Sequence, residues 1–171
     1  MYAILYLFMA LASLLGVAAT WLLAPLLAFT ADADGNLPRA LHWFQTFDNT
    51  LDAGWKVQGS YGTYLQNGAI PTGPTLWWYR TCWLWRNPGY GFDYWPLGLE
   101  FYAAEWTVRV DSAKWWIATG PNGAFCVKYL GTTGVGLKLG WKAWAYWQSG
   151  AWAPNSYLWG PDRRLPICFT L

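Results

Sequence analysis

The side chains able to do chemistry in this sequence lie in a few short stretches. The single histidine, His42, opens HWFQTFDNTLD, where Trp43, Gln45, Asp48, Asn49 and Asp52 bring amide and carboxylate oxygens close together along the chain. Such oxygens suit a hard cation, but the run lacks the alternating ligands and terminal glutamate of a calcium hand. Asp and Asn in this pattern also cap helices and close turns on their own backbone, and that is the preferred reading here. One histidine with no signature around it makes neither a multi-histidine metal site nor a Ser-His-Asp triad. It reads as a polar residue at an interface.

A second stretch, TLWWYRTCWLWRNPGY, carries Arg80, Trp85, Arg86, Asn87 and Tyr90. An arginine fork that also stacks on aromatic faces can hold an anion or a lipid headgroup. Arg80 is expected to reach headgroups by extending along apolar surface, whereas Arg86 and Asn87 read better as a pinned chain reversal. Asp48, Asp52, Asp93, Glu100 and Glu105 are the carboxylates from which acid and base would have to come in a glycosidase or other cell-wall hydrolase. No hydrolase signature surrounds them. The glycine-rich residues 131–140 contain no phosphate-binding G-x-x-x-x-G-K-[ST] run, and no motif calls for a cofactor. Cys82, Cys126 and Cys168 lack paired C-x-x-C spacing and read as separate buried thiols, with one bridge plus a free thiol as the alternative.

These residues hang on an unusual chain. Of 171 residues, 55% are hydrophobic, 20% aromatic and only 12% charged, so a membrane or a partner must cover part of the surface. The 16 Trp and 11 Tyr combine apolar bodies with polar tips, which suits a membrane boundary. A net charge of +2 leaves no electrostatic footprint for nucleic acid. Residues 1–31 contain no charged side chain and are long enough to span a hydrocarbon core as a helix. A retained transmembrane anchor is preferred to a signal peptide, because no Lys or Arg precedes the apolar run and the run exceeds a signal core. Pro25 should end or kink this helix. Arg39 is the only basic residue near its ends, which tips the C-terminal domain towards the cytoplasm.

Residues 32–38, DADGNLP, form a breaker-rich connector, and residues 39–171 a Trp-rich α+β domain. Its first part predicts short interfacial helices, one around Trp43 and one over residues 75–85, ended by Asn87-Pro88-Gly89. A long loop is expected over residues 56–74. The second part predicts a small antiparallel sheet of three or four strands, at residues 101–110, 114–119, 124–130 and 135–147, with a tight turn at Gly120-Pro121-Asn122-Gly123.

Three elements, WFQTFDN, RNPGYGF and LGWK, together resemble a family of small uncharacterised membrane proteins encoded by tailed bacteriophages and prophages. The match rests on Trp43, Phe44, Gln45, Thr46, Asp48 and Asn49, then Arg86, Asn87, Pro88, Tyr90 and Gly91. The chain departs at Phe47, where the family has proline, and at Ala53-Gly54, where an acidic Gly-Asp run is usual. The resemblance implies a phage origin and the host bacterial inner membrane, with lipid and host or virion envelope proteins as partners. No activity travels with it. Action by contact is therefore the leading expectation, in host takeover, superinfection exclusion or virion assembly. An exported aromatic glycan-binding module and a membrane or cell-wall enzyme are the alternatives.

Overall fold

The structure, a computed structural model, describes residues 1–53, 71–131, 136–153 and 163–170. The fold is α+β: a long apolar N-terminal helix, a few short helices and a small antiparallel sheet. The described residues divide into two compact units, Leu14–Phe92 and a second made of Met1–Ser13 with Asp93–Leu171. The first helix, α1, contributes to both.

Helix α1 runs from Tyr2 to Thr30 without interruption and is long and apolar enough to cross a membrane. A core helix or a signal sequence meets the same criterion of length and composition. Pro25 neither ends nor divides it, contrary to one expectation from the sequence. Proline removes the N–H that would reach the carbonyl of Trp21, and here the indole Nε1–H of Trp85 donates to that oxygen at 2.9 Å. A side chain from elsewhere in the chain replaces the missing backbone donor. The Trp77 indole likewise donates to Pro25 O at 2.8 Å, and its ring stacks on Phe29 with centroids 5.0 Å apart.

Within Leu14–Phe92, the connector is an ordered turn. Asp32 Oδ1 accepts from the backbone N–H groups of Asp34 and Asn36, and Gly35 takes a positive φ of 82°. A short 3-10 helix, Arg39–Phe44, comes next. Helix α2 covers Gly73–Arg86 and opens with a proline in its first turn. It starts inside the segment expected to be loop, and most of that loop lies outside the described residues. Asn87 ends α2, its backbone N–H and its side-chain Nδ2 both donating to Trp83 O. Ala24, Leu27, Leu37, Leu51 and Leu84 form the apolar core of this unit, so α1, the connector and α2 are joined by one cluster. Helix α3, Tyr90–Tyr94, crosses from this unit into the other.

In the second unit, strands β2 (Thr107–Asp111), β3 (Trp115–Thr119), β4 (Phe125–Leu130), β5 (Gly136–Trp141) and β9 (Ile167–Thr170) form one antiparallel sheet in the order β2-β3-β4-β5-β9. Two small ladders accompany it, β1 (Leu99–Glu100) with β8 (Arg164–Leu165) and β6 (Trp147–Gln148) with β7 (Ala151–Trp152). The turn between β3 and β4 has Asn122 at φ 53° and Gly123 at φ 79°, the conformation that Asn-Gly accepts at little cost. The strands expected over residues 101–110 and 135–147 are shorter than the sequence suggested. Residues Ala103–Glu105 and Ala143–Tyr146 are 3-10 turns that press Phe101, Trp106 and Tyr146 inward.

Candidate functional site

The oxygen-rich stretch around Asp52 is occupied by its own fold. Asp52 is 1% exposed and Arg80 is 6% exposed, and Arg80 Nε donates to Asp52 Oδ1 at 2.7 Å while Nη2 reaches Oδ2 at 3.2 Å. This two-point pairing is the geometry in which a buried guanidinium and carboxylate stabilise one another. Arg80 therefore does not extend to headgroups, as its setting among tryptophans suggested. It sits on the inward face of α2, which the sequence could not distinguish from the outward one. Gly35 lies against the pair: a Cβ there would come within 2.6 Å of Asp52 Cγ.

Gln45 is buried and fully engaged. Its Oε1 accepts from Leu37 N at 2.7 Å, and its Nε2 donates to Asn36 Oδ1 and to Asn49 O. Asn49 O also accepts from Thr46 Oγ1 at 2.9 Å. Asp48 and Asn49 are exposed beside a cleft of ≈490 Å³ lined also by Asn36, Gln45, Phe47 and Thr50. Among the described residues, no group of three or more His, Cys, Asp or Glu side chains is arranged to hold a metal ion. The arrangement is a turn tied by side chains.

The second stretch is built against the first. A Cβ on Gly91 would collide with the carbonyl oxygens of His42, Trp43 and Gln45, so only glycine lets α3 approach this closely. The rings of Trp43 and Phe92 lie 5.9 Å apart, and Trp43 remains 54% exposed. Arg86 is exposed in the last turn of α2, where a cation favours the helix dipole. Asn87 caps that helix, Tyr90 opens α3, and Trp85 is spent on the Trp21 carbonyl. Of the sequence-selected residues, Gln45, Asp52, Arg80, Trp85 and Asn87 place their side-chain polar atoms in bonds that hold the fold.

A model for a family of unknown function, DUF7338, matches residues 1–171. The chain belongs to this family. No curated protein and no solved structure matches it. The DUF7338 match takes in α1 together with both folded units, so the apolar helix is part of the pattern that defines the family.

Two features of this DUF7338 chain depend on its tertiary structure. The first is the burial of Asp93, which the sequence offered only as one of several candidate carboxylates and whose Oδ1 is buried without a hydrogen-bond partner. Burial pushes its carboxyl up to about 6, against the opposing effects of a hydrogen bond with Ser13 and the charge of Lys142. Its neighbours come from residues 80 positions upstream and 49 downstream, which no local pattern reveals. The second is an aromatic cleft of ≈220 Å³ where Trp115, Trp116, Trp144 and Trp147 meet Asp111 and Lys128. Trp147 Nε1 donates to Asp111 Oδ2 at 2.7 Å, and Trp115 packs on Tyr129 with centroids 4.5 Å apart. Strands over residues 114–119 and 124–130 and the turn between them were legible, but the meeting of these rings with residues 144 and 147 depends on the turn after β5.

The three cysteines are free thiols. Cys126 and Cys168 stand on strands that flank β5, both in register with Gly140. Burial raises both, Cys168 to about 12, so neither supplies a thiolate near neutral pH.

Proposed function

We propose that this chain is a membrane-bound protein of the bacterial inner membrane that acts by contact with envelope or virion proteins. One observation carries the membrane part, the hydrocarbon that α1 exposes along its length. Ser13 and Thr20 are buried, whereas Ile4, Leu7, Phe8, Leu22, Leu26 and Phe29 are each more than 60% exposed. Contiguous apolar surface of this extent is rarely left to water. Action by contact is supported by the use of the polar residues, since Asp52 is committed to Arg80 and Gln45 to its own turn. The phage setting, and with it host takeover, superinfection exclusion or virion assembly, rests on the resemblance of the WFQTFDN, RNPGYGF and LGWK elements.

The test is fractionation of bacteria expressing the full chain, with the intact mass of the membrane-bound product. An uncleaved chain that stays with the membrane after alkaline carbonate washing is expected. A cleaved, soluble product would overturn the reading. That outcome would favour a second one, an exported glycan-binding module, for which the aromatic cleft is the specific observation. Indole faces beside carboxylate and ammonium groups suit a sugar ring, with apolar stacking on one side and polar hydroxyl contacts at the edge. Titration of the soluble product with cell-wall oligosaccharides, followed by Trp fluorescence, would then decide it.

A further inference from the structure

We propose that the aromatic cleft of the sheet-bearing unit is a binding site for one acidic sugar ring, a pyranose that carries a carboxylate. This rests on the sugar-stacking reading of that cleft given above and names the class of sugar. It holds whether α1 is retained or removed.

The site begins with strand register. Asp111 of β2 stands opposite Trp116 of β3, and Trp116 stands opposite Lys128 of β4. Directly paired residues lie on the same side of a sheet, so the three form one row with the indole in the middle. Adjacent strands are about 5 Å apart, which puts the carboxylate and ammonium positions of the row about 10 Å from each other. Trp144, from the 3-10 turn after β5, and Trp147 of β6 add two further rings to the lining.

The cleft is held in shape by its own bonds. Trp147 Nε1 donates to Asp111 Oδ2 at 2.7 Å, and its ring centroid lies 6.3 Å from that of Trp116. At the hairpin that carries Lys114, Ser112 N donates to Trp115 O at 2.9 Å and Trp115 N donates to Ser112 Oγ at 3.0 Å. Lys114 O accepts from Leu130 N at 2.8 Å, which ties this hairpin to β4. A ligand would meet a formed site, and little ordering would oppose its binding.

What the cleft lacks is an acceptor. Trp116 is 7% exposed, and its Nε1–H is buried without a hydrogen-bond partner among the described residues. A buried donor left unpaired is costly, and native folds keep few of them. Lys114 and Lys128 line the same cleft and add two cationic donors. Asp111 is the one carboxylate in the lining, and it already accepts from Trp147. Donors and positive charge are in excess, so the occupant that fits brings acceptors and a negative charge.

The remaining chemistry selects a sugar. An inorganic anion would use the ammonium groups and leave the indole faces without a partner. A flat aromatic acid would cover the indoles but bring Asp111 no donor. A sugar acid supplies all three: a carboxylate for the lysines and the Trp116 N–H, hydroxyls that donate to Asp111, and a C–H face for the rings. The volume of ≈220 Å³ lies below the about 300–1,000 Å³ usual for drug-sized ligands, so the cleft takes one ring rather than a nucleotide.

The experiment titrates the full chain in detergent with D-glucuronate, D-glucose and acetate, followed by calorimetry. Glucuronate is expected to bind one site at least tenfold more tightly than glucose, and acetate to give no saturable heat. Lys128→Met should lower glucuronate affinity at least tenfold at an unchanged melting temperature; if that variant melts early, Lys114→Met, at an exposed position, takes its place. Equal affinity for glucose and glucuronate would overturn the acidic class and leave the sugar-stacking reading intact. Binding of neither sugar would overturn both, and acetate binding as tightly as glucuronate would mark a simple anion site and overturn the inference.

Discussion

The indole N–H of Trp85 stands 2.9 Å from the carbonyl oxygen of Trp21, the acceptor that Pro25 leaves without its helical donor. A proline that would ordinarily kink or end a helix is thus accommodated by one side chain of α2. The same contact ties α2 to α1.

This pair gives a double-mutant cycle. Trp85→Phe keeps most of the ring and removes the donor, and should cost about 1 kcal/mol, the net value of a typical hydrogen bond. Pro25→Ala restores a backbone N–H to the Trp21 carbonyl, so Trp85→Phe should cost distinctly less in that background. Thermal melting of the four proteins in detergent measures the coupling; equal costs in both backgrounds would argue that the indole contributes by packing alone.

Removing one partner of the Asp52–Arg80 pair should be severe. Asp52→Ala leaves a guanidinium buried without its carboxylate, and the expected loss is about 3–5 kcal/mol. Replacing both, as Asp52→Ala with Arg80→Met, should recover much of it. Yield of monodisperse protein and melting temperature report the difference. If Asp52 instead held a metal ion or acted in catalysis, the double variant would fold yet differ from the parent in metal content or activity.

Gly91→Ala should disrupt the unit Leu14–Phe92, because the added methyl meets three carbonyl oxygens of the His42, Trp43 and Gln45 backbone. Backbone cannot give way as a flexible side chain would, so the loss should be about 3 kcal/mol or more. Near-native melting of this variant would contradict the close approach of α3 to residues 42–45.

Asp93 makes stability depend on pH in a definite direction. Its carboxyl titrates at about 6 in the folded chain against an ordinary value of 3.8, so between these values the folded state holds the proton more tightly. Stability contributed by the protonated form is complete below about pH 4 and is lost as pH rises through 6. The difference between these two values corresponds to about 3 kcal/mol at most. Asp93→Asn, neutral throughout, should flatten the melting profile between pH 4 and 7 and raise the melting temperature at pH 8. A profile unchanged by the substitution would remove Asp93 as its cause.

Much of this architecture could be read from local pattern. Residues 1–31 carry no charge, so a long apolar helix was expected; Asn122-Gly123 accepts positive φ, so a hairpin was expected; and the aromatic segment over residues 75–85 fell at helical spacing. Strand β9 was not read, since its partner β5 lies some 26 residues upstream and pairing at that distance leaves no local mark. The stretch from Trp43 to Asp52 was recognisable as a polar turn, because Asp, Asn and Gln beside one another compete for their own backbone. Only the tertiary structure decided that Arg80 turns inward to Asp52, that Gly91 abuts the carbonyls of residues 42–45, and that Trp85 takes over from the N–H that Pro25 lacks. Composition records that a side chain is long, charged or aromatic. Which face of its helix is covered depends on packing between segments far apart in the chain.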